Sequence, residues 1–352
     1  MRRLLVFVLL LLSLRSQAQT GFEVRQKLGF LIAHRPVMAH LPQAPAVATE
    51  LSYIIRTTDR KTWQQAYHQP LIGGTLFFGS VGNNQILGHF TGLYGFVELP
   101  IIHAPHYRLD FKFGTGAGYT NRPYDPVLNP KNVAIGSHFN AMMCFALKNS
   151  WRFGTHGLTL GLDMTHFSNA SFTIPNLGIN LPYLSVGYQH YIATQKVKAN
   201  PIQEINRHQE FGLTLIGSGK EMTPLGSGRF PVLAASVQAR HYFGPKAGLE
   251  LGLDIIYKAS LLHAYPGLPL RNIDPLQLAV FAAYMHPFDR LQFFYGVGAY
   301  LRDPLHPDTP VYFRLGCRYA FTTHVDGHFA LKTHFAKADY LEFGLAYHFN
   351  RP

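Results

Sequence analysis

The feature that most constrains this chain is a repeated rhythm of strands and turns, which begins near residue 21. Apolar residues alternate with small or polar ones over segments of about ten residues, and Pro, Asn, Gly or Asp separates the segments. Because successive side chains of a strand lie on opposite faces, this period predicts β-strands. The clearest strands are 22–33, 71–80, 86–98, 107–119, 132–147, 157–167, 183–192, 210–217, 231–243, 248–257, 276–284, 291–300, 311–321, 327–335 and 340–349. Helical periodicity is nearly absent, so we predict an all-β fold.

The composition agrees with that fold class. Only 14% of the residues are charged and 47% are apolar, with 32 Gly and 23 Pro, which excludes a disordered chain and a charged helical bundle. The formal net charge of +12 favours acidic or phosphorylated partners without identifying one. Cys144 and Cys317 lie in separate strand-like segments, where they could form one disulfide or remain two buried thiols.

The first residues have the pattern of a secretory signal peptide. Arg2 and Arg3 precede the apolar run 4–12, and small residues stand at Ser16 and Ala18, the positions that a signal peptidase reads. The apolar run is well short of the roughly 20 residues that span a bilayer as a helix. We therefore expect residues 1–18 to be a signal peptide. Later stretches are interrupted by Gly, Pro, His or charges, which excludes a helical membrane protein.

The strand 157–167 indicates which environment the strands face. One face of residues 158–165 carries Leu158, Leu160, Leu162 and Met164, and the other carries Thr159, Gly161, Asp163 and Thr165. An unpaired Asp in hydrocarbon costs several kcal/mol, so in a transmembrane barrel the apolar face must point to lipid. His166 and Ser168 continue the apolar row and are expected to face outward. A leader followed by aromatic-ended strands of about ten residues fits a transmembrane barrel better than a soluble β-sandwich.

The strands are predicted to form one antiparallel transmembrane β-barrel. We expect roughly 12 to 16 strands, and an even number, as is usual in bacterial barrels. Residues 193–208 are a polar linker or loop, and two domains are conceivable. An isolated open sheet would expose its edges in lipid, however, so we expect a single outer-membrane barrel over residues 19–352.

The motif that carries chemistry is 166–170, His-Phe-Ser-Asn-Ala, followed by 175–180, Pro-Asn-Leu-Gly-Ile-Asn. A histidine and a serine two residues apart on a strand share a face, with backbones about 6 to 7 Å apart. His166 can therefore act as general base for Ser168, whose hydroxyl is otherwise a poor nucleophile. The backbone N–H groups of Asn169 and Ala170 are candidates for the oxyanion hole.

The paired motif resembles the lipid A 3-O-deacylase (PagL-like) family, which includes acyloxyacyl hydrolases. The resemblance covers 19–192, the deacylase-like part, and leaves 209–352 as additional strands. It implies a serine esterase in the bacterial outer membrane that removes an ester-linked acyl chain from lipid A. The implied partners are lipopolysaccharide in the outer leaflet and the membrane itself, with no nucleic acid. The resemblance implies a serine, a histidine and an acidic residue, and neither metal nor cofactor.

The third member of this arrangement is unusual here. The family's carboxylate lies twelve residues after the serine, and the resemblance places Asn180 at that position. An amide can accept the imidazole N–H and orient the ring, but it cannot offset the charge of a protonated histidine. Asp163 is the nearest acid in sequence, although its parity places it on the interior face. Asp125, in the loop 121–130, is less constrained.

Two other functions remain open. A non-catalytic barrel, either a channel or a scaffold, would explain the loss of the carboxylate and the second half of the chain. A phospholipase-like esterase would use the same serine and histidine on another lipid. A metal site is not expected, because the 19 histidines lack Cys or carboxylates at ligand spacing.

Overall fold

The computed structural model describes residues 19–351 except 193–206, 223–224, 227, 266, 306–308 and 336. The predicted signal peptide and most of the predicted linker lie outside the described residues. Sixteen antiparallel strands account for most of the rest, which confirms the all-β prediction. The described helices are all short, and none is long and apolar enough to cross a membrane.

The first eight strands form one closed sheet. They are β1 (Gln19–Gly29), β2 (Ala46–Arg56), β3 (Leu71–Ser80), β4 (His89–His103), β5 (Tyr107–Thr120), β6 (Phe139–Phe153), β7 (His156–Ser168) and β8 (Ile179–Tyr191). Strand β8 returns to pair with β1, for example at Val24 and Tyr188, so this sheet has no free edge. We refer to it as the first barrel.

The other eight strands form a second closed sheet, the second barrel. They are β9 (His208–Glu221), β10 (Arg229–Tyr242), β11 (Gly248–Lys258), β12 (Leu276–Phe288), β13 (Leu291–Arg302), β14 (Val311–Ala320), β15 (Val325–His334) and β16 (Lys337–His348). Closure is made by β16 and β9, which pair at Ala346 and Thr214. The strand number agrees with the sequence, whereas the expected single barrel is replaced by two, because β8 pairs with β1 and not with β9.

Both barrels carry apolar residues outside and charges inside, the reverse of a soluble protein. On the outside, Leu162 is 61% exposed and Leu251 is 64% exposed. Inside, the charged side chains are fully buried and paired with one another, so they fill the narrow lumen of an eight-stranded barrel. The pairs include Arg25 with Asp163 at 3.0 Å, Lys27 with Glu50 at 2.8 Å, Arg240 with Glu250 at 2.6 Å and Arg314 with Glu342 at 2.9 Å.

The two ends of the first barrel differ in their connections. One end, which we call the long-loop end, carries 30–45, 81–88, 121–138 and 169–178. The opposite end carries the turns 104–106 and 154–155, and the segment 57–70 with helix α1 (Thr62–Ala66). In the second barrel the longest connection, 259–275 with helix α2 (Ser260–Ala264), lies at the end that contacts the long loops. Outer-membrane barrels carry their longer loops on the extracellular side.

The barrels contact each other side by side, away from the long-loop end, through aromatic residues. The ring of Tyr67 stacks on Phe288 at 4.4 Å, and Trp63 meets the same ring edge-on at 6.0 Å. Further along the interface, Phe113 of β5 meets Phe293 of β13 at 5.0 Å in a T-shaped pair. Such aromatic pairs add to the stabilisation that burial of their surface provides.

At the long-loop end, polar contacts join the loop 169–178 to the second barrel. The Glu221 carboxylate accepts a hydrogen bond from the Ile174 N–H at 2.8 Å. The guanidinium of Arg229 donates to Thr173 Oγ1 at 3.0 Å and lies over the ring of Phe172. The second barrel therefore lies against the outer face of the first, beside the end of β7.

Candidate active site

The histidine and serine of the motif lie at the long-loop end of β7, on the outer face of the first barrel. In the β7–β8 register His166 is directly opposite Asn180, and β7 ends at Ser168. Outward residues lower on the strand, such as Leu158 and Leu162, are more than half exposed, whereas Ser168 is only 8% exposed. The second barrel covers this end of the row, so the outward groups face the other barrel.

A chain of hydrogen bonds fixes the protonation pattern of His166. Its Nδ1 lies 2.7 Å from Asn180 Oδ1, and Asn180 Nδ2 lies 3.2 Å from Nδ1 of His34, whose Nε2 is 3.1 Å from the Leu177 carbonyl. A carbonyl can only accept, so His34 Nε2 donates and its Nδ1 accepts from the Asn180 amide. The Asn180 oxygen then accepts from His166 Nδ1–H. This polarity leaves His166 Nε2 with a free lone pair.

Ser168 shares a cavity with His166. The cavity has a volume of about 50 Å³ and is lined by both side chains. The Ser168 oxygen accepts a hydrogen bond from the Ala170 N–H at 3.2 Å. In the part of the chain that the structure describes, no hydrogen bond joins the serine to the histidine; bonds between such groups often tighten only when substrate is present.

The loop 169–178 braces the residues after the serine. The Asn169 N–H donates to Asn176 Oδ1 at 2.9 Å, and the Asn169 amide donates to Ser137 Oγ at 2.8 Å. The Gly178 N–H is bound to the Ala134 carbonyl at 3.0 Å, which ties the end of the loop to the neighbouring connection 121–138. The Pro-Asn-Leu-Gly turn therefore holds the Ser-Asn segment through its asparagine.

Backbone conformation makes this loop tight. Ala170 and Ser171 have φ values of +51° and +63°, a left-handed region that non-glycine residues adopt at some cost. Gly178 has φ +80°, and a Cβ there would lie 2.9 Å from Cε1 of His166. Only glycine allows the turn to approach the imidazole this closely.

The two acids that the sequence offered as alternatives do not reach the histidine. Asp163 faces the lumen, as its parity predicts, and binds Arg25 at 3.0 Å. Asp125 is half-buried and accepts the backbone N–H groups of Leu128 and Val127, which lowers the pKa of its carboxyl. The residue that the structure places against the imidazole is the amide at position 180.

The cavity has a second wall that belongs to the second barrel. Outward side chains of β13 to β16 form this wall, which contains no charged group. One of them is Cys317, which is a free thiol; Cys144 is also free and lies buried in the first lumen. The wall consists of Phe293, Leu315, Cys317, Phe329, Leu331 and Leu341.

Sequence reasoning missed three parts of this site. His34 stands in a loop 146 positions from its partner Asn180, and a lone loop histidine gives no signal. Asn176 and Gly178 were noted only as part of the resemblance, and not for their contacts. The apolar wall was hidden because its residues read as ordinary lipid-facing positions.

These features define a class of protein: an all-β membrane barrel with a histidine and a serine at the long-loop end of one strand. Residues 48–189 match the family described as lipid A 3-O-deacylase (PagL), and residues 209–351 match the acyloxyacyl hydrolase C-terminal domain. The chain therefore belongs to the PagL family of lipid A deacylases. The two matched regions follow the two barrels, so the family also accounts for the half that the sequence resemblance left unexplained.

Two solved structures among those that match this chain do so at low sequence identity. The crystal structure of Neisserial surface protein A is 9% identical, with a TM-score of 0.31, and the match covers 50% of this chain and 97% of that one. A mutant of the Rh. blastica porin is 9% identical, with a TM-score of 0.18, and covers 94% of this chain and 100% of its own. No curated protein matches the sequence.

Proposed function

We propose that this protein is an outer-membrane serine esterase that removes an ester-linked acyl chain from the lipid A of lipopolysaccharide. Ser168 is the nucleophile and His166 the general base. The observation that carries the proposal is the pairing of His166 Nδ1 with Asn180 Oδ1 at 2.7 Å, beside a serine that lines the same cavity. Because Nδ1 is the donor, Nε2 is free to take the serine proton.

The reaction proceeds in two halves. The oxygen of Ser168 attacks the ester carbonyl while His166 Nε2 accepts its proton, and the resulting tetrahedral species collapses to an acyl-serine. The protonated histidine returns its proton to the departing sugar hydroxyl. Water, deprotonated by the same histidine, then attacks the acyl-serine, and the histidine returns that proton to the Ser168 oxygen as the fatty acid leaves.

Ala170 and Asn169 supply the oxyanion donors in this proposal. The Ala170 N–H already points at the Ser168 oxygen, so it lies next to the position of the attacked carbonyl. The Asn169 N–H is bound to Asn176 Oδ1 and would have to exchange that partner for the oxyanion. We therefore assign the main stabilising role to Ala170.

Asn180 orients the histidine, and His34 orients Asn180. Without the bond to His34, the amide could rotate and present its NH₂ group to the imidazole, which would reverse the required polarity. The amide supplies no negative charge, so the imidazolium formed during the reaction is less stabilised than in a Ser-His-acid site.

The location of the site suits an amphiphilic ester. The long-loop end corresponds to the extracellular side of outer-membrane barrels, where lipopolysaccharide forms the outer leaflet.

The alternative of a channel has less support, since buried ion pairs occupy both lumens within the described residues. A non-catalytic scaffold remains the competing proposal.

The decisive experiment compares lipid A from cells that produce the wild type and Ser168→Ala. Loss of one acyl chain, measured by mass spectrometry, is expected only with the wild type. Ser236→Ala, a serine buried in the second lumen, serves as the matched control and should behave as the wild type. Identical spectra from wild type and Ser168→Ala, with both inserted, would favour the scaffold.

A second assay separates lipid A deacylation from phospholipase activity. Purified wild type is offered lipid A and phosphatidylethanolamine in the same detergent. Release of fatty acid from lipid A alone supports the proposal. Equal or faster release from the phospholipid, abolished in Ser168→Ala, would replace it with the phospholipase-like esterase.

A further inference from the structure

We propose that the second barrel forms one wall of the binding site for the substrate's acyl chain, and thereby determines which chains are accepted. This inference rests on the proposed esterase function and deepens it. It assigns a role in acyl-chain selection to residues 209–351, which contribute none of the proposed hydrolytic residues. The occupant is the fatty acyl chain whose ester carbonyl lies at Ser168.

The first argument is the composition of the wall. On the first-barrel side the cavity is lined by three polar side chains, Thr115, His166 and Ser168, together with neighbouring outward residues. On the other side every side chain is aliphatic, aromatic or a thiol. A wall without charge, whose one polar group is a weakly hydrogen-bonding thiol, stabilises hydrocarbon and excludes the sugar and phosphate parts of the substrate.

The second argument is size. A cavity of about 50 Å³ holds only a few water-sized groups, so it can accept the ester carbonyl and the first carbons of a chain but not a whole chain. Adding or removing one or two methylenes in a side chain of the wall should therefore change the affinity for the substrate.

The third argument is the path that the rest of the chain would take. An apolar trough of about 690 Å³ runs along the outer surface of the first barrel. Its upper lining includes Met164 and Pro182, which form the outward pair directly below His166 and Asn180. A chain that passes the wall at the serine can thus continue down the trough toward the bilayer interior.

The wall can be tested with two substitutions on one strand. Leu341 and Leu345 both face outward on β16, but only Leu341 lines the cavity, while Leu345 is 57% exposed. We expect Leu341→Trp to lower kcat/KM for nitrophenyl myristate roughly tenfold and to leave nitrophenyl acetate, which has a single carbon beyond the carbonyl, nearly unchanged. Leu345→Trp should change neither. Equal loss on both esters, or no loss in an active Leu341→Trp enzyme, would overturn the inference.

Cys317 gives a measurement that needs no turnover. In Ser168→Ala, added lipid A should slow the reaction of Cys317 with a small apolar maleimide severalfold, because the chain covers the thiol. The control carries Cys317→Ser and Leu345→Cys, and its thiol should react equally fast with and without lipid A. Buried Cys144 should stay unlabelled.

The two readouts separate the inference from the function on which it rests. Protection of Cys317 in a protein whose wild type releases no fatty acid would refute the esterase and keep the acyl-binding wall. Ester hydrolysis that depends on Ser168, without protection of Cys317 by lipid A, would keep the esterase and refute the wall.

Discussion

The seventh strand of each barrel, β7 in the first and β15 in the second, occupies the same place in its sheet. The two strands differ in the residues that they present to the cavity between the barrels. Strand β7 ends in the outward residues His166 and Ser168, and the ten-residue connection 169–178 follows it. Strand β15 presents Phe329 and Leu331 at its outward positions, and residues 335–336 connect it to β16. Both rows line the same cavity from opposite sides.

In the proposed enzyme the barrel is a scaffold, and the chemistry depends on a few outward positions and one loop. Both lumens contain paired charges, and both outer surfaces are apolar. Two similar barrels thus contribute unlike surfaces to the shared cavity: one carries polar side chains among apolar ones, and the other is apolar. Function in such a chain has to be argued from the site and not from the architecture.

The largest expected effect comes from comparing one histidine in each barrel. His166→Gln should lower kcat by about 10²- to 10⁴-fold, since it removes the general base. His328→Gln alters a histidine that binds Glu342 inside the second lumen at 3.1 Å, and it should leave kcat nearly unchanged. Fatty acid release from lipid A measures both. Equal losses would mean that His166 supports structure and not catalysis.

Two glycines with similar backbone conformation test whether activity requires the close approach of Gly178 to the His166 imidazole. Gly178→Ala should lower activity by about 10²-fold, because a displacement of about 1 Å at reacting groups has that cost. Gly226 in the second barrel has a similar φ of +82°, but a Cβ there would meet nothing within 4 Å. Gly226→Ala shares the backbone strain alone, so it should retain activity. Steady-state kinetics measures the loss of activity, and the heat-dependent shift in gel mobility shows whether the barrels are still folded.

Restoring the charge of the third group should raise activity. With Asn180→Asp, a carboxylate of the same length faces the imidazole and stabilises its protonated form, so kcat should rise about tenfold while KM changes little. Asn180→Leu should lower kcat. A fall of kcat in Asn180→Asp to the level of Asn180→Leu would show that the amide is required for reasons other than orientation.

The smallest effect is expected at His34. His34→Leu removes the partner of the Asn180 amide and should lower kcat about threefold, the size of a modest hydrogen bond. His34→Gln can both accept from Asn180 and donate to the Leu177 carbonyl, so it should restore most of that loss. Steady-state kinetics of both variants decide the matter; if Gln fails where Leu fails, the ring itself is needed.

The sequence predicted the strands well because alternation is local. It missed β2 (Ala46–Arg56), in which the alternation is weak because the polar Thr49 stands in the outward row and the apolar Ile54 in the inward row. It could not predict two barrels, because closure depends on whether β8 pairs with β1 or β9, a choice between distant segments. The outward direction of His166 followed from parity, whereas its cover by the second barrel depends on how the barrels meet.

Each sheet completes its own ring of hydrogen bonds before the chain reaches the next one. A chain cut within residues 193–206 would leave no unpaired strand edge in either half. Either ring can therefore be gained, lost or exchanged by recombination without exposing an unpaired strand edge, so the barrel that carries the proposed active site can acquire a second barrel that alters its substrate range.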